Sequence, residues 1–491
     1  MRGASQRVYL TISFRILVTI SVILLCAADD KAQTLKARVS VLSLSPVRLK
    51  IEGEIPGGAE QWSFLNAYGG IVGLADRIRS LTLADSAGND VSVRSLAPGE
   101  FRSVRRATHF SYEVNASEPQ SPADASHISW LNNGYGYLMP ADLLPNLSNA
   151  MAIHDVVLEF ALPQNWSIAS SIQPDANQQF QLTEPATSVF FVSRALREKR
   201  KRIGQMEFSF VTSGDWPFAD DEATRIAARL LNDYAKQVGH SLNKHSVLML
   251  AALPGSFGAE HWSAETRGAN IMLLLGRNSP RSALLGKLGV VLTHELFHLW
   301  VPNGLSLDGN YDWFFEGFTL YQALRSAVRL GFITFQEYLN TLARVYDSYL
   351  TTPERDRLSL IDASQQRWTG ATSIVYDKGM LVAFLCDLML RGENQRSLDD
   401  VYRDLFRRFP ESARRADGNE AIISLLNEEL GSNEFAQRYI TGRGDMALET
   451  LVSPYGLIVE TVGGRKRLTV RPDLTRRQRQ LLRSLGYNRN S

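Results

Sequence analysis

The chain has 491 residues, 44% of them apolar and 21% charged, with a net charge of +2 at neutral pH. That length exceeds one ordinary hydrophobic core, so two or three domains are expected. The near-neutral balance gives no overall drive toward nucleic acid, so no nucleic-acid partner is expected.

Arg2, Arg7 and Arg15 precede an apolar run at 16–28 that closes on small residues. This is the pattern of a secretory signal, and it predicts an exported protein, periplasmic or secreted, with cleavage near Ala27 or Ala28. The nearly apolar stretch from Val8 is also long enough to stay as a membrane anchor. Residues 1–33 are therefore assigned to a signal peptide or N-terminal anchor. The chain has two cysteines, and the first, Cys26, lies in that segment. Cys386 is then left without a partner and fits an apolar helix as a small hydrophobe.

Residues 34–194 have β character. Positions 37–55 alternate apolar and polar as one half-buried strand, and further strands fit 80–84, 91–96, 110–114, 156–162 and 188–192. Turn signals such as Pro56-Gly57-Gly58 separate them, and the pattern predicts a β-sandwich. Asn115, Asn146 and Asn165 each open an Asn-x-Ser sequon. The basic run 194–202 reads as a solvated linker.

Beyond it the pattern becomes mixed and then helical, over 206–450. Strands fit 206–212, 246–252 and 271–275, with a helix at 222–238. A strongly apolar helix follows at 283–300, ended by Pro302. It contains His294-Glu295-Leu-Phe-His298, and Glu316 comes eighteen positions after the second histidine. Histidines four apart share one helical face and can grip one metal ion. Glu295 lies beside them, and Glu316 supplies a third ligand from the next helix. Three protein ligands leave a fourth position open, as a catalytic zinc site requires. Asp308 and Asp312 are candidates to orient a ligating histidine.

Helices fit 313–330, closing at Gly331, then 372–391, 398–408, 420–430 and 433–440. Thr334 and Glu337 have capping-box spacing for one more. Residues 451–491 read as a hairpin around Gly463-Gly464 and a basic tail.

With these residues in place, His294-Glu-Leu-Phe-His298-Leu-Trp300 and Trp313-Phe-Phe-Glu316-Gly-Phe-Thr-Leu-Tyr321 together resemble the glycyl-aminopeptidase family of zinc metallopeptidases, relatives of the thermolysin-like gluzincins. Val375-Tyr376-Asp-Lys-Gly379 is similar to the stretch carrying the catalytic tyrosine of gluzincin aminopeptidases. Phe257-Gly258-Ala259-Glu260-His261 is similar to the family's Gly-Gly-Leu-Glu-His segment. The resemblance implies a multidomain chain, an N-terminal β-sandwich followed by a thermolysin-like α+β and helical gluzincin catalytic domain. It implies one Zn2+ on His294, His298 and Glu316, with Glu295 as general base and Tyr376 as hydrogen-bond donor to the oxyanion. It makes Gly258, Ala259 and Glu260 the substrate-binding segment, with Glu260 pairing to the free α-amine of a peptide. Phe257 departs from the pattern, standing where the family has its first glycine. About thirty residues follow Val459, too few for the PDZ-like domain that many members carry. The activity implied is removal of N-terminal residues from peptides. A zinc endopeptidase, or a non-catalytic peptide-binding protein on the same fold, are the alternatives.

Overall fold

A computed structural model of the chain describes residues 33–146, 153–255 and 257–487. The apolar run 16–28 and Cys26 lie outside the described residues. Among the described residues no helix is long and apolar enough to cross a membrane.

The N-terminal region is built from sheet. Its largest sheet runs in the order Phe180–Leu182, Ile153–Ala161, Gln33–Leu44, Val47–Ser63, Glu100–Asn115, Ile78–Ala84, with Val93–Ala97 added on Glu100–Asn115. The single run expected at 37–55 is two antiparallel strands joined at Ser45-Pro46. A register shift between Val41 and Ser43 puts odd residues opposite odd ones, Val41 with Leu49 and Val39 with Ile51. Leu35, Val39, Leu49 and Ile51 therefore all reach the same core, and the alternation reads as unbroken.

A smaller sheet has the order Ser167–Ala169, Phe190–Ser193, Tyr135–Leu138, Trp130–Leu131, and its last three strands are buried on both faces. Alternate residues divide between two cores. Leu131, Leu138, Phe190 and Val192 pack against the large sheet. Trp130, Tyr137 and Phe191 pack against Val247, Met249, Met272 and Leu274 of a third sheet. Tyr137 donates its hydroxyl to the Met249 carbonyl, 3.2 Å away, and Trp130 Nε1 donates to the Ala125 carbonyl at 2.8 Å, so both buried polar atoms are satisfied.

The third sheet has the order Leu196–Ile203, Met206–Ser213, His245–Ala252, Asn270–Leu275, Trp262–Arg267. Its first member overturns the expected linker. The run Leu-Arg-Glu-Lys-Arg-Lys-Arg-Ile is an edge strand paired residue for residue with Met206–Ser213. Dense charge suits an edge, because it discourages a further strand from adding. Arg197 also reaches Asp220, which opens the helix Asp220–Val238, at 2.9 Å. That helix crosses between parallel strands and covers the opposite face of the sheet, where Leu248, Leu250, Ile271 and Leu273 join the helical core. Both faces being covered explains the uninterrupted apolar run 271–275 in the strand Asn270–Leu275.

The C-terminal region is helical. Phe335–Thr351 opens on the expected Thr334/Glu337 capping box, with Thr334 Oγ accepting from the Glu337 N–H at 3.2 Å. Cys386 is buried in the helix Gly379–Met389. The strands Leu457–Val462 and Arg465–Val470 form the expected hairpin. The basic tail beyond it contains a helix, Arg476–Ser484, because Leu481 and Leu482 give it an apolar side to bury. The whole is a large sheet-rich N-terminal region joined to a helical C-terminal region.

Candidate active site

The two histidines sit where one helix changes character. Arg281–Glu295 is α-helical, and Phe297–Leu299 continues as a 3-10 turn. This corrects the expectation of one α-helix through Trp300. The Trp300 N–H reaches back only to the Phe297 carbonyl, at 2.9 Å. Pro302, two residues on, has no N–H to extend an α ladder. The tightening leaves the ligand atoms together, with the Nε2 atoms of His294 and His298 2.9 Å apart.

Glu316 comes from the next helical segment, in a π-helical turn, Trp313–Phe318. Its Oε2 lies 3.3 Å from His294 Nε2 and 3.6 Å from His298 Nε2. One ligand atom from each of the three residues falls within 4.8 Å of the others. His298 Nδ1 is 2.8 Å from the Val301 carbonyl. A carbonyl only accepts, so Nδ1 carries the proton and Nε2 presents its lone pair inward. Neither Asp308 nor Asp312 takes that orienting role: Asp308 pairs with Arg415 at 2.6 Å and Asp312 with Arg367 at 3.0 Å.

The donor set fits a zinc ion. Glu316 Oε2 is buried without a hydrogen-bond partner, although it faces two imidazole nitrogens. Burial alone pushes the Glu316 carboxyl up. The His298 and His294 imidazoles and Arg367 outweigh it and hold the group well below the usual carboxylate range. An ionised oxygen buried beside two ring nitrogens, with no hydrogen bond of its own, is the environment a divalent cation stabilises.

Glu295 is buried beside the triad at 6% exposure. Thr266 Oγ1 lies 2.9 Å from Glu295 Oε2 and also 2.9 Å from the Glu295 carbonyl. Thr266 belongs to the edge strand Trp262–Arg267, which had no signal in the sequence. Its neighbours Glu265 and Arg267 form an ion pair at 3.0 Å. Tyr68 of the N-terminal region donates to Glu265 and lies under the Arg267 guanidinium, 4.3 Å from ring centre to Cζ. The two regions thus meet directly behind the strand that holds Glu295.

Tyr376 lies on a second π-helical turn, Ile374–Lys378. Burial, with the Glu316 charge adding to it, drives its phenol well above the ordinary tyrosine range, so it stays protonated. Arg367 bonds to both Tyr376 and Glu316 and went unnoticed in the sequence. Glu260 is placed differently. It sits on an exposed turn and pairs with His261 at 2.8 Å, with its side chain 75% accessible. Gly258 and Ala259 pack in the same turn against Gly276. Among the described residues, no hydrogen bond or ion pair joins these three to the triad.

The two π-helical turns cross at glycines. A Cβ on Gly317 would stand 2.5 Å from Gly379 Cα and 2.8 Å from the Val375 carbonyl oxygen. A Cβ on Gly379 would stand 2.8 Å from the Trp313 carbonyl oxygen. Backbone meets backbone here, so no side chain can yield. Gly317→Ala is expected to cost about 1–3 kcal/mol of stability and to lower kcat more than it alters KM, because it pushes Glu316 away from Tyr376. Thermal denaturation and steady-state kinetics check this; unchanged values for both would remove the crossing from the account.

The M61 glycyl aminopeptidase family model matches residues 306–382. The resemblance read from the motifs thus holds across the stretch containing Glu316, Arg367 and Tyr376. No curated protein matches the chain. The fold is similar to that of an aminopeptidase N family protein from Idiomarina loihiensis, with TM-score 0.72, 16% identity, and coverage of 87% of this chain and 79% of that one. It is also similar to an M1 zinc metallopeptidase from Deinococcus radiodurans, in a mutant form bound to a Tyr-Ser-Ala substrate, with TM-score 0.54, 16% identity, and coverage of 85% and 95%. At such identities the likeness is one of fold.

Proposed function

We propose that this protein is a zinc-dependent peptidase that removes N-terminal residues from peptides, with a thermolysin-like catalytic region. The observation that carries the reading is the convergence of His294, His298 and Glu316 within 4.8 Å, with Glu295 buried alongside. A zinc ion held by those three residues supplies Lewis acidity and brings the pKa of water at the site toward about 7. Glu295 takes the proton of the attacking water and passes it to the leaving amine. Thr266 keeps the Glu295 carboxylate aimed while it does so. Tyr376 donates its phenolic hydrogen to the oxygen of the scissile carbonyl as negative charge develops there. In this reading residues 34–194 form the N-terminal unit, and the catalytic unit, expected over 206–450, gains the strand Leu196–Ile203. Export to the periplasm or outside, with or without retention of the N-terminal segment as an anchor, completes the proposal.

The aminopeptidase choice is supported by the family description and by the short peptide bound by a protein of similar fold. The endopeptidase reading draws on one observation, the exposed position of Glu260, the residue proposed to hold the α-amine. Hydrolysis of a matched panel of free and N-acetylated peptides, with and without chelation, tests both. Chelator-sensitive cleavage confined to free-amine substrates is the expected result. Cleavage of the blocked peptides would transfer the proposal to the endopeptidase, and zinc-loaded protein that cleaves neither set would end it.

A further inference from the structure

Arg367 lies on the short 3-10 turn Arg367–Thr369, just before the segment that carries Tyr376. Its side chain is 10% exposed, and its two Nη atoms are divided among three site groups. One Nη donates to Asp312 Oδ2 at 3.0 Å. The other donates to Glu316 Oε1 at 2.8 Å and to the Tyr376 phenolic oxygen. Its plane is fixed by the Trp368 ring, whose centre is 4.3 Å from Cζ, and by the Tyr376 ring at 5.1 Å. Asp312 and Glu316 are four residues apart, so a single planar fork spans both carboxylates.

We propose that Arg367 is a positioning residue that sets both the third metal ligand and the phenolic proton donor. The claim rests on the peptidase reading above. By saturating Glu316 Oε1, Arg367 leaves only Oε2 to face the histidines, so the carboxylate is presented through one oxygen in one orientation. By donating into the phenolic oxygen, it occupies a lone pair and leaves the phenolic hydrogen as the bond Tyr376 has to give. Asp312 balances the charge that would otherwise be buried with Arg367. A lysine cannot substitute, because a single ammonium on a flexible stem lacks the planar pair of donors that reaches two carboxylates and a phenol together.

The test uses the full chain with Arg367→Lys, Arg367→Ala, Tyr376→Phe and the Arg367→Lys/Tyr376→Phe pair. Zinc affinity is measured by competition with a chromophoric chelator, separately from peptide hydrolysis. For Arg367→Lys, zinc affinity is expected to fall about 10–100-fold, the range for loss of a group that orients a ligand. Its kcat is expected to fall with KM little changed. The kcat loss from Arg367→Lys should be smaller in the Tyr376→Phe background than in wild type, because the phenolic arm is already gone. Should Arg367→Ala fail to fold, the lysine variant decides. A folded Arg367→Lys protein with wild-type zinc affinity and kcat would overturn the proposal. So would a lowered melting temperature with both of those values unchanged. Multiplicative losses in the pair would overturn its phenolic half. If wild type binds zinc but cleaves nothing, the peptidase reading fails, while the zinc titrations still decide the ligand-positioning half.

Discussion

Glu295→Gln is expected to lower peptidase kcat by about 10²–10⁴-fold, the usual contribution of a positioned proton-transfer group. Zinc content and melting temperature should stay near wild type. Glutamine keeps the length and shape of the side chain, and its carbonyl oxygen can still accept from Thr266 Oγ1, now 2.9 Å from Glu295 Oε2. What it loses is the ability to take a proton. The ligands His294, His298 and Glu316 are untouched, so metal binding and chemistry separate cleanly. Thr266→Val, which removes the hydroxyl but leaves the carboxylate, is expected to cost less. Steady-state kinetics with metal analysis on the same preparations make the comparison. A glutamine variant retaining more than a tenth of the wild-type kcat would remove Glu295 from the base role.

Several parts of this site follow from covalent spacing, and these were legible in the sequence. His294 and His298 lie four apart, and the α-helix continues to Glu295 before tightening at Phe297–Leu299, so the late change to a 3-10 turn leaves the two ring nitrogens 2.9 Å apart. Glu316 sits in a segment that is apolar on nearly every other position, and a carboxylate there requires a partner. Tyr376 was assigned only through resemblance, since a tyrosine before Asp-Lys-Gly has no spacing rule of its own.

Other residues reach the site by tertiary folding alone. Arg367 follows Glu316 by fifty-one residues in a polar stretch, Ser-Gln-Gln-Arg-Trp-Thr-Gly, which reads as a surface loop. Thr266 lies in Trp-Ser-Ala-Glu-Thr-Arg, which lacks apolar alternation because its outer face is covered by Tyr68 and His127, polar groups from the N-terminal region. The basic strand Leu196–Ile203 likewise carries no apolar alternation, because as an edge strand it is mostly exposed. Its charges are answered by partners such as Asp220, and strand pairing overrode low intrinsic propensity. The π-helical turns at 313–318 and 374–378 left no mark either. A turn of that kind is set by what packs beside it, here the crossing of Gly317 and Gly379.

Removing the metal is expected to abolish peptidase activity and to lower the melting temperature by several degrees, with zinc restoring both. His298 and Glu316 are buried, at 9% and 8% side-chain exposure, and His294 is half-buried. Glu316 Oε2 receives no hydrogen bond from the protein. A ligand that binds only the folded state stabilises it by about 2.7 kcal/mol at one hundred times its dissociation constant. For a chain of this size each kcal/mol corresponds to about 2 °C or less, so the shift is readable without being large. His298→Ala sharpens the experiment. It removes one ligand and the bond to the Val301 carbonyl, 2.8 Å away, and leaves Glu316 and Arg367 paired. This variant should be inactive, and its melting temperature should no longer respond to zinc. Calorimetry of both proteins, metal-free and reloaded, reads the difference. A wild-type protein that keeps its activity after verified loss of metal would exclude zinc from the reaction. An equal thermal response in His298→Ala would mean that the stabilising zinc binds elsewhere.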